Sequence, residues 1–245
     1  MSQRLLPLLA LLALLLNSPA VKGDDAPDPH DLTKWQITGA EVTVDSTNKH
    51  STSAGSFKIP PEATATLPLR TDAGSGSVTL WIFDDGTAPS NPEAIHHLGP
   101  RWGLIGPDGH VLFAGILYAA YLKGEKGYVA NDVDLNAKEP NWFQDVVWLS
   151  TERVVGWHKW VFKMDPNTGL TISADGEPLT NFDWNKTQFK GFTGIVLYGE
   201  ENGSDHPQTY WVDDIDVTLG GPMVATPGSA PSPAAPTPPA TPASP

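Results

Sequence analysis

The stretch Gly156–Leu219 restricts the fold most, because its apolar residues keep a period of two and never settle into a helical repeat. Trp160, Phe162 and Met164 recur at every second position, which places them on one face of a strand. Pro166-Asn167-Thr168-Gly169 then interrupts with residues that favour a tight turn. Leu170-Thr171-Ile172-Ser173 runs back, and Asp175-Gly176 marks the next turn, so the segment reads as a hairpin meander. Two further strands follow at Phe192–Gly199 and Thr209–Leu219. The spacing predicts antiparallel β structure throughout.

The rest of the chain fits the same scheme. Trp35-Gln36-Ile37 and Glu41-Val42-Thr43-Val44 open the domain, and the Ser46–Ser53 run reads as a loop. Ser56–Ile59 and Ala63–Leu69 are short strands separated by Pro60-Pro61, and Ser77–Phe83 is a strand bounded by glycine-rich turns. Trp102–Leu117 is a hairpin turning at Pro107-Asp108-Gly109. Thr87–Pro100, with His96 and His97, is a loop long enough to suggest function. Tyr118–Asn141 breaks the alternation and reads as an irregular insertion, and Asp145–Ser150 resumes the sheet.

The two ends differ from this body. Met1–Gly23 has Arg4 as a basic lead, an apolar run at Leu5–Leu16 and small residues at Ser18-Pro19-Ala20, the pattern of an export signal. That run is shorter than the ~20 residues a spanning helix needs, so no membrane insertion of the mature chain is expected. Residues 221–245 hold nine prolines and no charge, which reads as a disordered, partly polyproline II tail suited to reaching a cell-envelope partner. The division expected is therefore a signal at 1–23, one domain at 24–220 and a tail at 221–245, with a secreted or surface location. With no cysteine, an exported domain must be held by its core alone. Without the leader's Arg4 and Lys22, 13 basic residues face 28 acidic ones, a formal −15, which argues against nucleic acid and anionic lipid partners.

The tryptophan-led strand, the D-x-x-x-G turn, the strand ending in D-G, the G-F-x-G-I-V-L-Y-G strand and the closing W-V-D-D-I-D-V strand resemble concanavalin A-like lectin/glucanase jelly rolls, in particular their laminin-G-like and secreted bacterial versions. The likeness covers roughly residues 35–219. It implies an all-β, antiparallel two-sheet jelly-roll sandwich with no major helices. Jelly rolls carry lectins, lyases, glucanases and inert spacers, so function must come from the side chains.

Sugars stack their C–H faces on aromatic rings and hydrogen-bond through their hydroxyls to amides and carboxylates. Tyr118, Tyr121, Tyr128 and Trp142, beside Asn131 and Asp132, are the expected glycan platform, on the premise that the insertion is open to solvent. Trp81, Trp148, Trp160 and Trp211 fall within strand patterns and are assigned to the core, and Trp102 and Trp157 stand at strand starts. The resemblance also implies a structural calcium held by Asp213 or Asp214 with Glu41 or Asp45. Period-2 parity puts Asp213 with Trp211, Ile215 and Val217 on an inward face, where backbone amides or an arginine would cap it equally well.

Catalytic patterns are thin. The E-x-D-x-x-E strand of the glucanases of this fold does not occur, nor does a Gly-x-Ser-x-Gly elbow. Tyr121–Tyr128 faintly echoes the Y-x-K-x-G-x-Y strand of jelly-roll alginate lyases, without their Q-x-H or R-x-E-x-R strands. The expectation is a secreted, non-catalytic carbohydrate-binding or surface-attachment module. A lyase on a uronate glycan and a purely structural envelope domain are the alternatives.

Overall fold

A computed structural model describes residues 27–69, 73–87, 97–119, 125–138, 147–165, 168–178, 191–199 and 208–220, with side chains except at 97–98, 117–119, 125–126 and 147–152. The proposed signal and tail lie outside the described residues. No helix among the described residues is long and apolar enough to cross a membrane.

The chain is an all-β, antiparallel two-sheet jelly-roll sandwich. A single 3-10 turn, Leu32–Lys34, capped by the Asp31 side chain, leads into it. The strands in chain order are β1 (Gln36–Thr38), β2 (Thr43–Asp45), β3 (Ser56–Ile59), β4 (Thr64–Pro68), β5 (Gly76–Asp84), β6 (His97–Ile105) and β7 (His110–Ala119). They continue as β8 (Glu125–Asp134), β9 (Val147–Glu152), β10 (Gly156–Asp165), β11 (Gly169–Ala174), β12 (Glu177–Pro178), β13 (Gly194–Tyr198) and β14 (Tyr210–Leu219). The first sheet runs β1-β4-β13-β6-β7-β8-β9 and the second β12-β11-β10-β5-β14-β3-β2. Some sequence neighbours sit in different sheets: β5 pairs with β10 and β14, while β4 and β6 lie in the first sheet.

Parity builds the second sheet. Val78, Leu80 and Ile82 of β5 and Trp160, Phe162 and Met164 of β10 are buried, while the residues between them are not. Opposite them the first sheet contributes Leu67, Trp102, Leu104, Ile195 and Leu197 to one continuous core. Each fully buried large side chain stabilises the sandwich by about 1.5–3 kcal/mol.

The first sheet has two buried faces. Ile105, Val111, Phe113, Val133, Leu135, Val196 and Tyr198 form a second apolar cluster on the side away from the core. Close strand packing here admits no side chain at Gly103, where a Cβ would lie 1.9 Å from the Leu112 carbonyl oxygen. This double burial corrects the reading of Tyr118–Asn141 as irregular. Residues 125–134 form the regular strand β8, paired to β7 over its whole length. A strand buried on both sides loses the apolar–polar alternation by which a strand is recognised.

Candidate functional site

Of the expected platform, the structure describes the side chains of Tyr128, Asn131 and Asp132. Tyr128 is 1% exposed, with its ring edge-on to Trp160 at 5.1 Å, and its hydroxyl donates to Asp84 Oδ2 at 3.1 Å. Burial, then the Asp84 charge, pushes the Tyr128 phenol far above its ordinary value. Asn131 is equally buried but lies at odd spacing from Tyr128, so the two side chains leave β8 on opposite faces. Asp132 is partly buried and accepts from His110 Nδ1 at 3.0 Å through both oxygens. Burial pushes its carboxyl upward against that hydrogen bond. Tyr118 stands on β7 opposite His97, with its side chain outside the described residues, as are Tyr121 and Trp142 altogether. Tyr128 and Asn131 are corrected from binding residues to interior ones, because β8 is buried on both of its faces there.

Asp84 is the hub of the interior polar group that holds Tyr128. It is 1% exposed, and Arg153 grips both its oxygens through Nε and Nη2 while reaching the Thr87 carbonyl with Nη1 at 2.9 Å. A carboxylate so deep is tolerable only when paired and hydrogen-bonded.

An aromatic group does lie open, on the outer face of the second sheet. Trp157 of β10, Phe83 of β5 and Trp211 of β14 sit side by side in register across three strands. All three are partly exposed. The Phe83 ring is 5.4 Å from Trp157 and 5.7 Å from Trp211. Trp81, two residues before Phe83, belongs to the same face and carries the His50 ring stacked on it at 3.6 Å. Trp81 and Trp211 are thereby corrected from core to outer face, while Trp160 and Trp102 are core. The signal was in the sequence: Val78, Leu80 and Ile82 claim the inner parity of β5, which leaves 81 and 83 outward.

Polar groups border the row. Trp211 Nε1 donates to Asp45 Oδ2 at 2.9 Å, and Lys58 Nζ stands 6.0 Å from the Trp211 ring centre. Lys159, exposed, pairs in register with Trp81. Asp85 accepts from Gln208 Nε2 at 3.1 Å and from the Thr87 N–H at 2.8 Å.

A loop between β2 and β3 closes one side of the row. Asp213 lies opposite Trp81, on the outer face, and is 3% exposed because this loop covers it. Its Oδ2 accepts from the His50 N–H and from Ser53 Oγ, each at 2.9 Å, and its Oδ1 accepts from the Asp214 N–H at 2.8 Å. Asp214 accepts from Ser51 Oγ and faces His50 Nδ1, each at 2.7 Å. The inward position expected for Asp213 is corrected here. β14 carries a register shift between Asp213 and Asp216, with Asp214 at φ 43, so parity does not carry from Trp211 through to Val217. Beside the loop is a cavity of about 480 Å³ whose lining includes His30, Ser51, Phe57, Asp214 and Ile215.

These carboxylates do not fit a calcium cage. The oxygens of Asp213 and Asp214 meet N–H and O–H donors, as do those of Asp45, which accepts from Thr47 N–H, Asn48 N–H and the Trp211 indole. Glu41 is exposed. Among the described residues no three His, Cys, Asp or Glu gather as metal ligands. The Thr47 N–H, then the indole, holds Asp45 below the usual carboxylate range. Desolvation opposes ionisation of Asp214, yet the His50 and Ser51 hydrogen bonds outweigh it and lower that carboxyl too.

No family model matches the chain, and no curated protein matches it. Solved structures do. A cellulose-induced protein, Cip1, is 16% identical over 77% of this chain and 92% of its own, with a TM-score of 0.48. Domain 4 of the arabinanase AbnA from Geobacillus stearothermophilus, in complex with arabinotriose, is 12% identical over 77% and 84%, with a TM-score of 0.43. The binding domain of botulinum neurotoxin DC is 9% identical with a TM-score of 0.45, and this chain, three-quarters of it matched, spans only 42% of that one. Identities this low carry no shared ligand across.

Proposed function

We propose that the protein is an exported, non-catalytic glycan-binding module, and that its site is the Trp157–Phe83–Trp211 row. One observation carries this: three partly exposed rings in register on the open face of an otherwise well-packed sandwich, bordered by Lys58, Lys159, Asp45 and Asp85. Large aromatics outside a core are costly unless they meet a partner, and the alternation of apolar faces with hydrogen-bonding groups matches a sugar's C–H faces and hydroxyls. The leader-like Met1–Gly23 supports export, and the proline-rich 221–245 supports reach toward an envelope partner. Of the two tyrosines of the lyase-like stretch, Tyr128 is buried in the core and Tyr121 lies outside the described residues.

Affinity electrophoresis against a panel of polysaccharides tests the proposal. At least one glycan should retard the protein without being cleaved, and Trp157→Ala or Trp211→Ala should abolish the retardation with the melting temperature little changed. Retention that survives both substitutions would move the site elsewhere.

A further inference from the structure

Resting on the glycan reading, we infer that this site takes a single soluble glycan chain with a twisted backbone, and not the flat face of a crystalline polysaccharide. A crystal face presents its sugars in one plane, so a protein that binds it must offer rings that share a plane. This row does not. The Phe83 ring is inclined 59° to Trp157 and 82° to Trp211. A rigid plane laid against one ring meets its neighbour on edge. A single chain escapes this, because rotation about its glycosidic bonds turns successive sugar faces to different angles.

The supporting strands reinforce the tilt, since each is rotated by about 20–25° from the next. Trp157 and Trp211 stand two strands apart, roughly 10 Å at the usual spacing, which is about the length of a disaccharide. The surface beside the rings is not flat either. The β2–β3 loop rests on the outer face, with His50 stacked on Trp81 at 3.6 Å and 5.7 Å from the Trp157 ring. It stands beside the rings and bars the approach of an extended plane. Charge complementarity selects a neutral chain: two lysines, 58 and 159, and two carboxylates, Asp45 and Asp85, border the rings and balance. The protein as a whole, at −13, repels polyanions.

Titration calorimetry with cellohexaose, laminarihexaose and mannohexaose, set beside depletion by microcrystalline cellulose and by crystalline chitin, tests the inference. At least one hexasaccharide should bind, and Trp211→Ala should weaken it about tenfold or more, the loss of one stacking contact. Neither crystalline solid should deplete the protein. Trp157→Phe, which keeps an apolar ring, serves as a second variant should Trp211→Ala not fold, and should weaken the same sugar less. Depletion by a crystalline solid with no hexasaccharide bound overturns the inference and leaves glycan binding standing. Failure of all five probes overturns both.

Discussion

The two sheets are written in the same period-2 residues, yet the outer face of one is sealed and the outer face of the other is open. In the first sheet, β13 is buried at all five positions, and Arg101 lies between Phe113 at 5.2 Å and Tyr198 at 4.9 Å on the side away from the core. In the second, β10 alternates strictly, and Lys159, Val161 and Lys163 are left to solvent or partly so. A sheet buried on both sides spends its side chains on stability. The proposed site therefore lies on the sheet with a free side, and substitutions in the two should have separable effects.

The largest effect expected is in the interior. Arg153→Met leaves the Asp84 carboxylate buried without its cation, which costs about 3–5 kcal/mol. For a domain of this size that lowers Tm by roughly 10 °C or more, read by calorimetry. A shift under about 2 °C would mean that Asp84 is not held as described. Next comes Tyr128→Phe, which keeps the packing and removes one donor from Asp84, at about 1–3 kcal/mol. Its glycan retention at a temperature well below Tm should equal that of the wild type. Loss of retention without loss of stability would return Tyr128 to the binding site.

Trp211→Ala should show the opposite split. The ring is partly exposed, and its indole N–H satisfies an Asp45 carboxylate that also has two backbone donors. The expected cost in stability is about 1 kcal/mol, against complete loss of retention. A large fall in Tm would instead make the outer aromatic group a small structural core, and the contrast between the sheets would fail.

Much of the architecture was legible in the sequence, since β3, β4, β5, β10, β11, β13 and β14 lie where alternation and turn residues put them. Two physical effects hid the rest. Double burial erased the alternation of β8, so Tyr128 and Asn131 looked like an open insertion. The bulge at Asp213–Asp216 broke parity within β14, so Ile215 and Val217 turn inward while Asp213 stays with Trp211 on the outer face. Trp81 and Trp211 were missed differently: large rings were assigned inward by type, although their apolar neighbours already occupied the inner positions. None of this depends on long-range contacts. The β2–β3 loop does, because His50 meets Trp81 and Asp214 only after β14 has docked.

Acid should loosen that loop. The Asp214 carboxyl is held below its ordinary value by His50 and Ser51, so its contribution is complete above the unfolded carboxylate pKa, near 3.9. The contribution is lost as pH falls through the lowered folded value. Asp214→Asn should therefore flatten part of the decline in Tm below about pH 4. An acid limb identical to that of the wild type would show that the loop is held by other contacts.

The smallest effect expected is from a chelator. A ligand bound only by the native state raises Tm by mass action, so stripping a structural calcium would lower it by several degrees. The carboxylates that sequence reasoning offered to calcium are already spent on donors: Asp213 on His50, Ser53 and the Asp214 N–H, and Asp45 on two backbone N–H groups and an indole. A cation drawn to those oxygens would have to compete with these donors. Melting curves with EDTA and with added calcium should therefore superimpose. Curves that separate would require Asp213 and Asp214 to release the loop when metal binds, and that loop borders the aromatic row through His50. Glycan affinity would then change with calcium, which the same titrations would detect.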